Sequence, residues 1–224
     1  FGGWKHSAFG PGAKAGGPNY VFNFGKWETE SLPELRESPN QLTNSLLTQF
    51  KRLVIEAKSR ELLQVSAWSY GWALHHEFHA EHDPSQLVGE RVLLRCNEEA
   101  ELLDAMLAVL ASTTCEIDLE VSLASKHAQV IGTALEGVAR VNVVEESEDA
   151  LLARMKSLES RPGLVRYLGG VPREVYEMAN DWHVPVVDDP VSAVGRLELR
   201  YYFREQSVSE TVHRYGNMID PPEG

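Results

Sequence analysis

Between Arg91 and Val187 the chain repeats one pattern: a short apolar run of β-forming residues, then a longer stretch with helical spacing. The runs are Arg91 to Cys96, Ile117 to Leu123, Arg140 to Val144, Leu164 to Leu168 and Val184 to Val187; between them lie Glu98 to Ala111, Ala128 to Val138, Asp149 to Leu158 and Arg173 to Asn180. A strand that faces water on one side alternates apolar with polar residues, whereas near-continuous apolar character requires cover on both faces. Five such strands with helices between them predict an α/β fold built on a parallel, Rossmann-like sheet. Right-handed crossovers are expected between the strands. Asn97 is placed to cap the first of these helices, with Glu98, Glu99 and Glu101 suited by charge to its N-terminus.

A sheet of this kind raises the question of a dinucleotide site, which needs G-x-G-x-x-G at a strand-to-helix turn so that backbone can approach a pyrophosphate. The first such turn reads Cys96-Asn97-Glu98-Glu99, and its carboxylates would repel a diphosphate.

Upstream of the alternation, residues 1–19 hold six of the seventeen glycines together with Pro11 and Pro18 and read as an irregular loop. Asn19 to Phe24 alternates polar with aromatic or β-branched residues and predicts a strand. From Leu42 to Ala80 apolar residues recur at helical spacing, giving two helices or one long kinked one, with Gly71 a break or a close-packing point, before the turn signal Asp83-Pro84-Ser85. Downstream, within 192–213, Leu197, Leu199, Tyr201, Phe203, Val208 and Val212 keep a spacing of two, interrupted at Arg204-Glu205-Gln206, and predict a β-hairpin or a pair of extended arms.

Composition narrows the function classes. A chain of 224 residues, 43% hydrophobic, supports one sizeable core or two small ones. The net charge of -12 opposes any partner held through phosphates, so no nucleic acid is expected. No run of eighteen apolar residues occurs, and the first residues carry neither a basic nor an apolar leader, so no transmembrane segment is expected. The two cysteines, Cys96 and Cys115, lie in or beside apolar segments and suit a reducing cytoplasm. The opening inside a glycine-rich run without Met is what a piece of a longer polypeptide would show.

Three groups invite chemistry. His75 and His79 sit four apart on one helical face and can share a metal with His82 or Glu77, but His76-Glu77-Phe78-His79 is one residue short of H-E-x-x-H, and histidines at a polar helix end are more often solvated; no metal is expected. Cys115 is followed by Glu116, which would raise its pKa, and Cys96 ends an apolar strand, so both read as packing residues rather than nucleophiles. The glycine-rich opening lacks a preceding strand and a closing G-K-[ST], and reads better as a wall of a larger site than as a phosphate loop.

Three stretches carry a resemblance. Phe1-Gly2-Gly3-Trp4-Lys5-His6-Ser7 is similar to the F-G-G-x-x-x-S segment that ends the catalytic domain of aldehyde dehydrogenases, and Lys14-Ala15-Gly16-Gly17-Pro18-Asn19-Tyr20 looks like the subgroup that oxidises 1-pyrroline-5-carboxylate, that is, L-glutamate γ-semialdehyde. Ser69-Tyr70-Gly71-Trp72 through His82-Asp83-Pro84-Ser85 to Gly89-Glu90 resembles the region after that domain in bifunctional proline utilization A proteins and their monofunctional relatives. Gly195-Arg196-Leu197-Glu198-Leu199 through Arg204-Glu205-Gln206-Ser207-Val208-Ser209 to His213-Arg214-Tyr215-Gly216-Asn217 looks like the C-terminal motif of the same proteins.

The resemblance implies an NAD-dependent oxidation of glutamate semialdehyde in proline catabolism. In that family a cysteine thiolate attacks the aldehyde, hydride leaves to NAD, and a base-assisted water releases the acid. Those parts lie upstream of the F-G-G segment, so residues 1–224 alone are expected to be inactive. FAD is implied as well if the parent is bifunctional. The implied organisation is the end of a catalytic domain at 1–28, a helical connector at 29–88, a noncatalytic Rossmann-like domain at 89–190 and a C-terminal β-flap at 191–219. Phe1, Gly2, Gly3 and Ser7 would line the substrate wall. Arg196, Arg200, Tyr201, Phe203, Arg204, Glu205, Gln206, His213, Arg214 and Tyr215 would form an arm that covers the active site or tunnel of the upstream catalytic domain and supports a homo-oligomer. Physically this is credible because arginines pair with carboxylates while aromatic rings anchor in pockets. Two rivals stay open: a self-contained interaction module, and a metal-dependent enzyme built on the histidines.

Overall fold

The computed structural model describes residues 19–25, 40–79, 87–157, 161–205, 213–214 and 217–218. Helix α1 (Gln41–Leu53) begins where Asn40 Oδ1 accepts the Thr43 amide at 3.0 Å, an N-cap that satisfies one otherwise orphaned donor. It ends at extended Val54, with Lys51 and Arg52 in the last turn, where cations suit the helix dipole. Helix α2 (Ala57–Trp72) runs on into a wider π segment, Ala73–Phe78. The described part of this stretch is therefore two helices, and Gly71 lies buried inside the second, a packing position and not a break.

The sheet has five parallel strands, β2 (Val92–Cys96), β3 (Leu119–Leu123), β4 (Val141–Glu145), β5 (Leu164–Leu168) and β6 (Val186–Val187), in the order β4-β3-β2-β5-β6. Strand alternation splits the side chains between two faces. Val92, Leu94, Cys96, Leu119, Val121, Leu123, Leu164 and Leu168 meet α1, α2 and α3 (Leu102–Thr114), together with a crossover α4 made of Ser125–His127, a π segment Ala128–Gly132 and Thr133–Leu135. Leu93, Val165 and Tyr167 meet α5 (Glu148–Ser157) and α6 (Arg173–Trp182) through Leu151, Met155 and Val175. The molecule is a mixed α/β, Rossmann-like fold of parallel sheet between helical layers, as its alternating pattern predicts.

Helix α3 is apolar on nearly every side because it lies between the sheet and the α1–α2 pair. Met106, Leu107, Val109 and Leu110 are fully or almost fully buried there, each worth roughly 1.5–3 kcal/mol against exposure. Thr43 of α1 and Thr114 of α3 share a buried hydrogen bond at 2.9 Å, which removes the cost of hiding two hydroxyls.

Three local expectations are corrected. Tyr20–Asn23 is a 3₁₀ turn, closed by the Phe24 amide on the Val21 carbonyl at 3.1 Å and by an edge-to-face contact of Tyr20 with Phe24, instead of a strand. Asn97 caps a separate turn, its Oδ1 accepting the Glu99 and Ala100 amides, and α3 starts only at Leu102. Residues predicted as extended from 192 onwards instead form helix α7 (Gly195–Glu198) and a 3₁₀ turn, Leu199–Tyr201. Gly195, Glu198, Leu199 and Tyr202 are the buried positions, a helical spacing hidden in the sequence because one member is a glutamate. Extended structure resumes at β7 (Phe203–Glu205), which pairs antiparallel with β1 (Leu87–Gly89); a short pair β8 (His213–Arg214) and β9 (Asn217–Met218) follows.

Candidate functional site

Two arginines interrupt the apolar strands, and each determines what gathers around it. Arg166 in β5 and Arg95 in β2 are 0% and 1% exposed, positions at which an unanswered charge would be prohibitively costly. They point to opposite faces, Arg166 beside Leu164 and Leu168, Arg95 beside Leu93.

Arg166 is answered by Glu198 of α7, itself 0% exposed, with Nε 3.3 Å from Oε1. The same Oε1 accepts the Tyr202 hydroxyl at 3.0 Å, and Oε2 accepts the Ser192 amide at 2.9 Å. Arg166 Nη1 donates to the carbonyls of Val187 and Asp189 at 3.1 and 2.7 Å. Tyr70 of α2 completes the ring by donating to the Ser192 carbonyl at 2.7 Å. Burial would lower the Arg166 pKa, but Glu198 and Tyr202 outweigh it and raise it, so the guanidinium stays charged. Burial, followed by the Glu198 carboxylate, raises the phenols of Tyr202 and Tyr70 well above the ordinary range and keeps both as neutral donors. The network joins β5, the 187–192 connection, α2 and α7 in one polar knot inside an apolar layer.

The residues expected to form a cover begin at this knot. Arg196 Nη1 donates to Asn19 Oδ1 at 2.5 Å and lies 4.4 Å from the Phe78 ring centroid, so the start of the motif holds the end of the glycine-rich opening segment. Arg200 lies over the Tyr201 ring and donates to its hydroxyl at 2.8 Å, while that hydroxyl donates to Asp189 at 2.9 Å. Phe203 packs against Phe78, and Arg204 pairs with Glu90 at 3.0 Å across the β1–β7 ribbon. Glu205 is opposite Leu87 in that ribbon; His213 and Arg214 make up β8. Phe1, Gly2, Gly3, Ser7, Gln206 and Tyr215 lie outside the described residues. Sequence reasoning missed Arg166, Glu198 and Tyr202 as a unit. The available signal was an arginine inside an apolar five-residue strand, which requires a buried carboxylate from elsewhere in the chain.

Arg95 is answered on the other face by Glu148 of α5 at 3.2 Å, Ser122 Oγ at 3.0 Å and the Glu146 carbonyl at 3.0 Å. Arg154 then grips Glu146 and Glu120, each at 2.6 Å. Beside this cluster is the point where strand order reverses, between β2 and β5, the usual place for a nucleotide in such a sheet. Here Asn97 Nδ2 donates to the Gly170 carbonyl at 2.9 Å and the Gly170 amide donates to Glu99 at 3.0 Å. Gly169 has φ +93°, and a side chain there would run into Asn97. The two loops are thus bonded to each other, with Glu98 and Glu99 at the rim, and this crevice does not fit a dinucleotide's diphosphate.

His75 and His79 stack edge to face at 5.5 Å, while His76 lies against Trp72 at 4.0 Å; His82 is outside the described residues. Burial and then His75 lower the His79 pKa. Among the described residues no three His, Cys, Asp or Glu side chains gather as a metal site. Cys96 and Cys115 are both buried; burial pushes the Cys96 thiol up to about 12 and the Cys115 thiol well above its ordinary value. No described helix is long and apolar enough to cross a membrane.

No protein-family model and no curated protein matches this sequence. Among solved structures, proline utilization A (PutA) from Corynebacterium freiburgense matches with a TM-score of 0.57 and 28% identity. The match covers 97% of this chain and 19% of that chain, so the sequence spans about a fifth of that protein's length. The chain therefore resembles that protein over nearly its whole extent.

Proposed function

We propose that this chain is the C-terminal part of an NAD-dependent L-glutamate γ-semialdehyde dehydrogenase of proline catabolism, working in the cytoplasm, and that its task is to cover and assemble rather than to catalyse. In this reading residues 1–28 close the catalytic domain, 29–88 connect, 89–190 form a noncatalytic Rossmann-like unit, and 191–219 form the arm. NAD belongs to the upstream catalytic domain, and FAD to a proline dehydrogenase domain if the polypeptide carries one. A homo-oligomer is part of the proposal.

The observation that carries it is the union of the two chain regions with family-like motifs: Arg196 of the C-terminal motif bonds to Asn19 at the end of the glycine-rich segment, 177 positions away. That contact joins the start of the proposed arm to Asn19, the last residue of the glycine-rich stretch, and supports the reading of the motif as a cover. The two-stranded β1–β7 ribbon supports the same reading, since so small a ribbon is marginal alone and gains from pairing or packing against a neighbour. The switch-point crevice, bridged by Asn97 and Gly170 and lined by Glu98 and Glu99, supports a noncatalytic role for the sheet.

The test uses the intact polypeptide that carries this chain, with and without residues 206–219. NAD-dependent oxidation of glutamate semialdehyde by the intact form, reduced or leaking intermediate after the deletion, is the expected result. Absence of that turnover in the intact, folded protein rejects the enzyme assignment, and unchanged turnover and assembly after the deletion reject the cover.

A further inference from the structure

We infer that the buried Arg166–Glu198 pair is a positioning latch that sets the register of β7 on β1. This rests on the cover reading above for its purpose, although the latch itself is an independent claim about geometry.

The argument starts from weakness. Helix α7 has four residues and is followed by a single 3₁₀ turn, far below the length at which a helix holds itself together. The ribbon that follows has three pairs, Leu87 with Glu205, Val88 with Arg204 and Gly89 with Phe203. Neither element can fix its own position. What fixes them is the set of bonds at Glu198: Arg166 from the sheet, Ser192 from the preceding loop and Tyr202 from the residue immediately before β7. The Tyr202 carbonyl in turn accepts the Glu90 amide at 3.1 Å, one residue beyond β1. Displacing Tyr202 by one position would therefore move every pair of the ribbon and turn its side chains to the other face.

A buried ion pair is a poor source of net stability, because the desolvation of two charges offsets most of their attraction, and apolar replacements of similar size often serve as well or better. Its best-attested use is to make one arrangement much better than its neighbours. Here Gly195 gives the second restraint. Its amide donates to Ser69 Oγ at 2.8 Å, and it packs so closely on α2 that a side chain would not fit. One end of α7 is thus fixed by contact and the other by charge, and β7 follows from both.

The experiment compares the intact protein with Glu198→Gln, with Arg166→Met, and with the double variant Arg166→Met/Glu198→Leu. The double variant removes both charges together and keeps an apolar filling. It is expected to lose less stability than Arg166→Met alone, because no uncompensated buried charge remains. Amide exchange at Phe203–Glu205 and Leu87–Gly89 is expected to speed up at least about tenfold, while the strands of the central sheet keep their protection. Glu198→Gln, which retains shape and some hydrogen bonds, should give an intermediate rate. A stable double variant whose ribbon exchanges as slowly as wild type overturns the latch, since packing alone would then set the register. Should the double variant fail to fold, Glu198→Gln decides: an unchanged ribbon overturns the proposal and a selectively loosened one supports it. Turnover separates the two readings, because a loosened ribbon with unaltered dehydrogenase behaviour leaves the latch standing and removes the cover.

Discussion

Replacing Gly195 with alanine should destabilise the protein, whereas the same change at Gly132 should not. At Gly195 a Cβ would lie 2.7 Å from Ala73 Cβ and 2.7 Å from the Ser69 carbonyl carbon, with the carbonyl oxygen closer still. Neither obstacle is the free end of a side chain: one is the α2 backbone and the other a carbon fixed to it. Room can come only from lifting α7 off α2, which strains the Gly195–Ser69 hydrogen bond and the Glu198 network behind it. Overpacking of this kind costs about 1–3 kcal/mol. The gain in helix propensity offsets roughly 0.5–1 kcal/mol at most, and less at the first position of a four-residue helix. A net loss of about 1–2 kcal/mol would lower the melting temperature by roughly 2–8 °C for a domain of this size. At Gly132, inside a π segment, the nearest obstacle is Val143 Cγ1 at 3.9 Å, an ordinary contact distance, so alanine should be neutral or stabilise by up to about 1 kcal/mol. Urea unfolding followed by tryptophan emission, with thermal scans of both variants, measures the difference. If Gly195→Ala is as stable as wild type, or Gly132→Ala loses as much, close packing of α7 on α2 is not what holds the C-terminal segment.

Arg166→Met alone leaves Glu198 buried and uncompensated and should cost about 3–5 kcal/mol in urea unfolding, much of it recovered by adding Glu198→Leu. Burial pushes the Glu146 carboxyl up, but hydrogen bonds from Arg154 and Ser122 outweigh it and leave its folded pKa below the ordinary value. That stabilisation is fully present above the ordinary carboxylate range and is lost as pH falls through the lowered folded pKa; Glu146→Gln should flatten the acid limb of a stability–pH curve, and an unchanged limb would refute the assignment. Both thiols should resist a disulfide reagent in the native protein and react together on unfolding, because burial holds Cys96 at about 12 and Cys115 also well up; rapid native labelling of either would contradict the buried geometry.

What the sequence determined by itself is the class of fold and the order of its strands along the chain. Apolar runs at Val92–Cys96, Leu119–Leu123 and Leu164–Leu168 need cover on both sides wherever they lie, and that requirement is local and readable. The helical period of α1 and α2 is readable for the same reason. Tertiary structure alone decided that Asn19–Phe24 is a turn, because an alternating segment becomes a strand only where a partner edge exists. It also decided that 195–201 is helical: Glu198 counts as an inward residue only once Arg166, 32 positions earlier, is there to meet it. The knot of Arg166, Glu198, Tyr202 and Tyr70 follows the same logic, since each residue is unremarkable in its own segment. Charges buried far apart in sequence acquire meaning only when the fold sets them side by side, because the energy that justifies burying one is supplied by the other.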